Sequence, residues 1–252
     1  MAKLVQKSGY IKSGKVGGYM RYIATREGVE KLAGNGAVTK GQRELIQKLL
    51  TDFPDAAELF EYEDYCKTPT LGTASAFIGM ALDANIHEID SESGYMQYIA
   101  TRPRVQKHGS HGLFSSATAV DLTSAMSELE AHEGNVWTII YSLRREDAAR
   151  LEYDSADAWR TLLMENAPTL AKSMKISLDN FHWYAAFHDE GHHPHIHMMV
   201  WSDDPKEGFL TKDGIAAMRS KLTNAIFRDE MQQIYERKDV AYSDLVEAAQ
   251  NA

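Results

Sequence analysis

The sequence predicts an α+β fold with a central antiparallel sheet and helices on its faces. Two observations carry this prediction. Residues 181–188 and 195–201 read as strands joined by a short His-rich loop, and a connection that short returns the chain antiparallel. The rest of the chain mixes segments of 3.6-residue apolar period with segments of period two, and neither kind dominates. A chain of 252 residues can bury one good core, and no low-complexity linker divides it. One domain over 1–252 is therefore expected, with a helical insertion at 27–92. A C-terminal helical segment at 211–252 would lead into a further region of a longer protein.

Taken in order, a first strand is expected near the N-terminus. The segment Gly18-Tyr19-Met20-Arg21-Tyr22-Ile23-Ala24-Thr25-Arg26 follows it. Residues 94–102 repeat this segment with one difference, Gln97 for Arg21. The repeat is too short and isolated for a solenoid. If each copy is helical, Tyr19 and Tyr22 lie one turn apart, as do Tyr95 and Tyr98. Arg26 and Arg102 then follow four residues after the second tyrosine, and Pro103 ends the second copy. Between the copies, Leu45, Ile46, Leu49 and Leu50 form one helical stripe. Pro54 is expected to open a second helix, and Phe77, Ile78 and Leu82 mark a third.

Beyond the second copy, a helix is expected from Asp121 to Ala131 with Leu122, Ala125, Met126 and Leu129 inward. Trp137, Ile139, Tyr141 and Leu143 alternate as a strand. Ser155 is placed to cap a helix through Glu165, and Pro168 to start another. After the two strands around the His-rich loop, residues 211–238 read as helical. Ile215, Met218, Leu222, Ile226 and Met231 are roughly in phase there.

Composition excludes several classes. Hydrophobic residues make up 44% and charged residues 25%, ordinary for a globular protein. Cys66 is the single cysteine, so no internal disulfide forms, and a reducing cytoplasm is the expected setting. No apolar run is long enough to span a bilayer. The net charge of -9 argues at first against a nucleic-acid partner. Its distribution reverses that reading. Residues 1–26 hold Lys3, Lys7, Lys12, Lys15, Arg21 and Arg26 and no acid, and residues 93–120 hold Arg102, Arg104 and Lys107 and no acid. Phosphate binding follows local contacts, so a basic face on an acidic body still serves.

The most informative stretch is His188 to His197, with five of the ten histidines in ten residues. His195 and His197 point the same way from a strand. A strand ending at His188 and folding back through Asp189 and Pro194 brings a third imidazole beside them. Three convergent imidazoles suit a divalent metal with open positions, which serves catalysis more often than scaffolding. Packing alone explains five histidines poorly. His192 and His193 read as loop residues and His182 as structural. Asp189 and Glu190 are candidates to orient a ligand imidazole, or equally are solvated loop charges.

A repeated tyrosine pair is more often core packing than chemistry. Here it lies in the least acidic parts of a chain that also carries three convergent histidines. Tyrosine has a pKa of about 10, and a nearby metal and arginine would lower it and neutralise a phosphodiester. Arg26 or Arg102 could hold such a phosphate with a fork of donors.

At these residues the sequence resembles a known group. His195-Ile196-His197, flanked by apolar residues, is similar to the His-hydrophobic-His signature of the HUH endonucleases. His188 stands where three-His relaxases place their third ligand. The Tyr22 segment resembles the first motif of MobP-type relaxases. Together with Arg102-Pro103-Arg104-Val105, His111-Gly112-Leu113-Phe114 and Trp183-Tyr184-Ala185-Ala186-Phe187-His188, it is similar to the MobL/MobP branch from conjugative elements of Gram-positive bacteria.

The resemblance implies an HUH-relaxase-like sheet and a conjugative mobilisation function. A tyrosine attacks one phosphodiester of single-stranded DNA at an origin of transfer and forms a 5′-phosphotyrosine. It implies His188, His195 and His197 as ligands of Mn²⁺ or Mg²⁺, with accessory and coupling proteins of a conjugation system as partners. Imidazole donors taken alone suit Zn²⁺ or another later metal. Arg26, Arg102 and Arg104 become candidate phosphate contacts. Position after the first strand favours Tyr22 as nucleophile. The length from Tyr98 to His195 matches an uninterrupted family core, so Tyr98 remains the alternative, with Tyr19 and Tyr95 packing.

Other readings are distinguishable. His193-Pro194-His195-Ile196-His197-Met198-Met199 also resembles the motif of HIT nucleotide hydrolases, which need no metal; Pro194, His188 and the tyrosine repeat fit that motif poorly. A rolling-circle replication initiator of the HUH group would use a tyrosine after the histidines, and Tyr235 and Tyr242 are available. A metal-dependent accessory DNA-binding protein would bind without forming an adduct.

Overall fold

A computed structural model describes residues 3–10, 36–85, 96, 99–100, 105–107, 111–117, 119–189 and 193–228. Their elements are β1 (Val5–Tyr10), α1 (Lys40–Asp52), α2 (Phe60–Lys67), α3 (Leu71–Asn85), β2 (Leu113–Phe114), α4 (Leu122–Glu130), β3 (Trp137–Ser142), α5 (Arg145–Arg150), α6 (Ala156–Ser173), β4 (Phe181–His188), β5 (His195–Ser202) and α7 (Lys212–Ile226). The strands form one antiparallel sheet in the order β1-β3-β5-β4-β2, so the fold is α+β. Among the described residues, no helix is long and apolar enough to cross a membrane.

β5 lies at the centre, and all eight of its residues are buried. A central strand covered on both faces reads as a near-continuous apolar run, here Ile196, Met198, Met199, Val200 and Trp201 interrupted by two histidines. One face carries Ile139, Tyr141, Ile196, Met198, Val200, Trp183 and Phe187. These pack with Trp159, Leu163 and Leu170 of α6 and Met218, Leu222 and Ile226 of α7. Each such fully buried aliphatic or aromatic side chain contributes about 1.5–3 kcal/mol.

The opposite face is covered in two parts. Val5 and Ile140 pack with α1, α2 and α3 through Ile46, Leu49, Phe60, Phe77 and Ile78. Ala186, Met199 and Trp201 pack with Met96, Ile99, Ala100, Leu113 and α4 residues Ala125 and Leu129. His195 and His197 belong to this face by register, because His195 pairs with Ser142 and His188, and His197 with Ile140 and Ala186.

Local chemistry fixes the starts of several helices, and at Asp121 and Ser155 it does so where the sequence predicts. Thr39 and Gln42 form a reciprocal capping box at α1. The Gln42 amide also donates to the Leu71 carbonyl and the Ser75 hydroxyl, tying α1 to α3. Asp121, Ser155 and Thr211 each accept a backbone N–H at the starts of α4, α6 and α7. Gly214 lets α7 approach α6 closely, since a Cβ there would stand 2.4 Å from the Ser173 carbonyl oxygen.

Two expectations change. Pro54 opens only a short 3-10 turn to Glu58. The helical ladder breaks at Leu59, whose extended backbone (ψ 144°) frees its carbonyl to start α2 at Tyr62 and Glu63. Pro168 does not start a helix; it lies inside α6, which runs unbroken from Ala156 to Ser173. The missing proline N–H would have served the carbonyl of Met164, a residue 42% exposed, where water can take its place.

Candidate metal centre

The hairpin of β4 and β5 builds the site. The Cα partners His188 and His195 face each other across it, and the two-residue strand period adds His197 on the same face. Ring centroids lie 5.2 Å apart for His188 and His195, 4.6 Å for His188 and His197, and 5.1 Å for His195 and His197. Each ring offers one nitrogen within 4.8 Å of the others, and all three residues are buried. Cross-strand neighbours Ile140 and Ala186 flank His197.

Backbone carbonyls set the ring orientations of two of them. His188 Nε2 lies 2.8 Å from the carbonyl of Ile99, and His195 Nδ1 lies 3.0 Å from the carbonyl of His193. A neutral imidazole that donates from one nitrogen carries its lone pair on the other. The lone pairs therefore sit on Nδ1 of His188 and Nε2 of His195, both buried atoms, as is Nε2 of His197. Neutral imidazoles with fixed tautomers are ready metal ligands. The donor set fits a first-row divalent cation and leaves coordination positions for a substrate oxygen.

Asp189 is 57% exposed, and its carboxylate meets Arg145 at 2.5 Å. Glu190 lies outside the described residues. The same holds for Tyr22, Tyr98, Arg26, Arg102 and Arg104. Met96, Ile99 and Ala100, which flank Tyr98 in sequence, are described and buried against the sheet. His182, expected to be structural, stacks on Trp201 and bonds Asp203 at 2.7 Å.

A second set of residues, not singled out as a group from the sequence, surrounds this centre. His193 is buried in the loop, its Nε2 2.9 Å from Asp64 Oδ2. Arg144 bridges the Asp64 and Glu63 carboxylates at 3.2 and 3.0 Å. Burial alone would raise the Asp64 carboxyl, but hydrogen bonds from His193 and Arg144 outweigh it and hold the group below the usual carboxylate range. Glu63 is also held low, by the hydrogen bond from Lys3 above all, against burial and with help from Arg144. In the sequence, Glu61, Glu63 and Asp64 look like the solvated face of an amphipathic helix. Only the density of histidines around His193 was a signal.

A family model for MobL relaxases matches residues 1–252, the whole chain. No curated protein and no solved structure matches.

Proposed function

The chain belongs to the MobL relaxase family, and from that premise we propose that it nicks single-stranded DNA at an origin of transfer by transesterification. The observation that carries the reading is the convergence of His188, His195 and His197 on one buried face of the central sheet. A divalent cation held by three neutral ligands keeps its full double charge, and so supplies Lewis-acid polarisation of the scissile phosphate. Mn²⁺ or Mg²⁺ is the family's metal, and the imidazole donors also suit Zn²⁺.

In this reading the phenol oxygen of Tyr98 or Tyr22 attacks the phosphorus. A tyrosyl O–P bond forms and the P–O3′ bond breaks. The proton lost by the phenol is balanced by the one the leaving 3′-oxygen takes up. The bond energy stays in the phosphotyrosine, so the strand can be rejoined. The Ile99–His188 hydrogen bond supports Tyr98, because its neighbour in sequence is tied to the triad and adjacent Cα atoms are about 3.8 Å apart. Arg26, Arg102 and Arg104 are proposed phosphate contacts that position the strand without reading its bases. Asp189 and Glu190 are proposed to orient the loop near the ligands. Accessory and coupling proteins of a conjugation system are the proposed partners, and the cytoplasm the proposed site of action.

The test is incubation with single-stranded origin oligonucleotides and Mn²⁺, with covalent adducts mapped by mass spectrometry. An adduct on Tyr98 is expected, abolished in Tyr98→Phe and by a chelator. An adduct on Tyr22 moves the nucleophile. Nucleotide hydrolysis without any adduct overturns the relaxase chemistry.

A further inference from the structure

We propose that Asp64 and His193 form a positioning pair through which helix α2 fixes the orientation of the ligand His195. The proposal rests on the reading of the three histidines as a metal centre. His193 is linked in two directions. Its ring lies 2.9 Å from the Asp64 carboxylate, and its carbonyl accepts the hydrogen bond from His195 Nδ1 at 3.0 Å. Asp64 is 129 residues away in sequence and belongs to a different structural layer, the helices that cover β1 and β3.

Each group in this chain is itself held. The Asp64 carboxylate shares its two oxygens between His193 and Arg144. The His193 ring is stacked on Phe60, with centroids 5.3 Å apart and planes at 24°. The Arg144 guanidinium lies over Phe60 at 4.7 Å. Phe60, 1% exposed, thus packs against both the cation and the imidazole. The next peptide is fixed too, because the Pro194 carbonyl accepts the Leu143 N–H at 3.2 Å. With the ring and the following peptide both anchored, the His193 carbonyl has little freedom. A fixed acceptor holds the tautomer and plane of the ligand ring and raises its basicity. Asp64 acts on His195 through His193 and touches neither metal nor substrate.

A purely structural role, docking α2 on the sheet, predicts a loss of stability and nothing at the metal. Co²⁺ binding to the full chain separates the two, with affinity and the visible d–d absorption as readouts. Asp64→Ala is expected to weaken Co²⁺ binding by about 10–100-fold and to shift the d–d bands. Asp64→Asn keeps an acceptor oxygen and is expected to restore both toward the parent. Glu63→Gln, on the same helix and bonded to Arg144 but not to His193, is expected to bind as the parent does. Should Asp64→Ala fail to fold, His193→Phe keeps the stacking on Phe60 and removes the same hydrogen bond, with the same loss expected.

Parental affinity and spectrum in Asp64→Ala, or in His193→Phe, overturn the pair. So does an equal loss in Glu63→Gln, which would mean general loosening of α2. A parent that takes up no Co²⁺ overturns the metal centre and this pair with it. A parent that binds while the variants do not differ from it overturns the pair alone.

Discussion

The carbonyl oxygen of Ile99 lies 2.8 Å from Nε2 of His188. This contact joins the repeated tyrosine segment to the first histidine of the centre across 89 residues of chain. The Ile99 side chain is fully buried with Met96, Ala100 and Ala186, so packing holds that carbonyl in place. Ile99→Ala should loosen the anchor while leaving the tyrosines and histidines intact. Misplacement by about 1 Å costs on the order of 10²-fold in rate. Single-turnover adduct formation should therefore fall by about 10–100-fold. An unchanged rate would detach Tyr98 from the centre and return the assignment to Tyr22.

Metal should stabilise the fold measurably. Ligand at 100 times its Kd adds about 2.7 kcal/mol, which for a chain of this size raises Tm by roughly 5–10 °C. Thermal melts with saturating Mn²⁺ should show that rise, and His197→Ala should abolish it. The same melt with a chelator returns the metal-free value. A shift that survives His197→Ala places the ion elsewhere.

Much of this centre was legible in the sequence because strand periodicity is a strong constraint. Once β4 and β5 pair, the spacing of His195 and His197 and the position of His188 leave them on one face. The helix starts at Asp121 and Ser155 were legible because capping is a local act. Asp64 was not. Its role depends on which helix covers which strand, and an acidic residue on an amphipathic helix looks the same whether it faces water or a buried imidazole. His193 lies in the loop, as the sequence predicts, but its bond to Asp64 was not legible for the same reason: that partner is 129 residues away.

Acid should undock α2 from the loop. The Asp64 and Glu63 carboxyls titrate below their ordinary values in the folded chain. A carboxyl depressed on folding adds stability that is complete above its unfolded pKa, about 3.9 for Asp and 4.3 for Glu. That stability is lost as pH falls through the lower folded value. Melting temperature should therefore drop between about pH 5 and pH 3, and the drop should be shallower in Asp64→Asn. An Asp64→Asn profile parallel to the parent's would show that the pair with His193 and Arg144 contributes nothing to this acid limb.

Pro168 offers a prediction about α6 that turns on what the helix does with a residue it should not contain. A proline in a helix interior is about 3 kcal/mol less favourable than alanine, because it lacks the N–H and crowds the preceding turn. Pro168 is exposed, so Pro168→Ala opens no cavity. The new N–H would reach the carbonyl of Met164. Against this, proline restricts the unfolded chain, which favours the parent by about 0.4–1 kcal/mol. The balance is a gain of roughly 2 kcal/mol, or about 4–8 °C in Tm. The opposing case is that the bend a proline imposes is what fits α6 to the sheet, through Trp159, Leu163 and Leu170 on one side of it. Straightening the helix would then pull Leu170 from Met218 and Leu222 of α7, and the variant would melt at or below the parent's temperature. A rise means that the proline is tolerated at a cost; a fall means that the curvature is part of the packing.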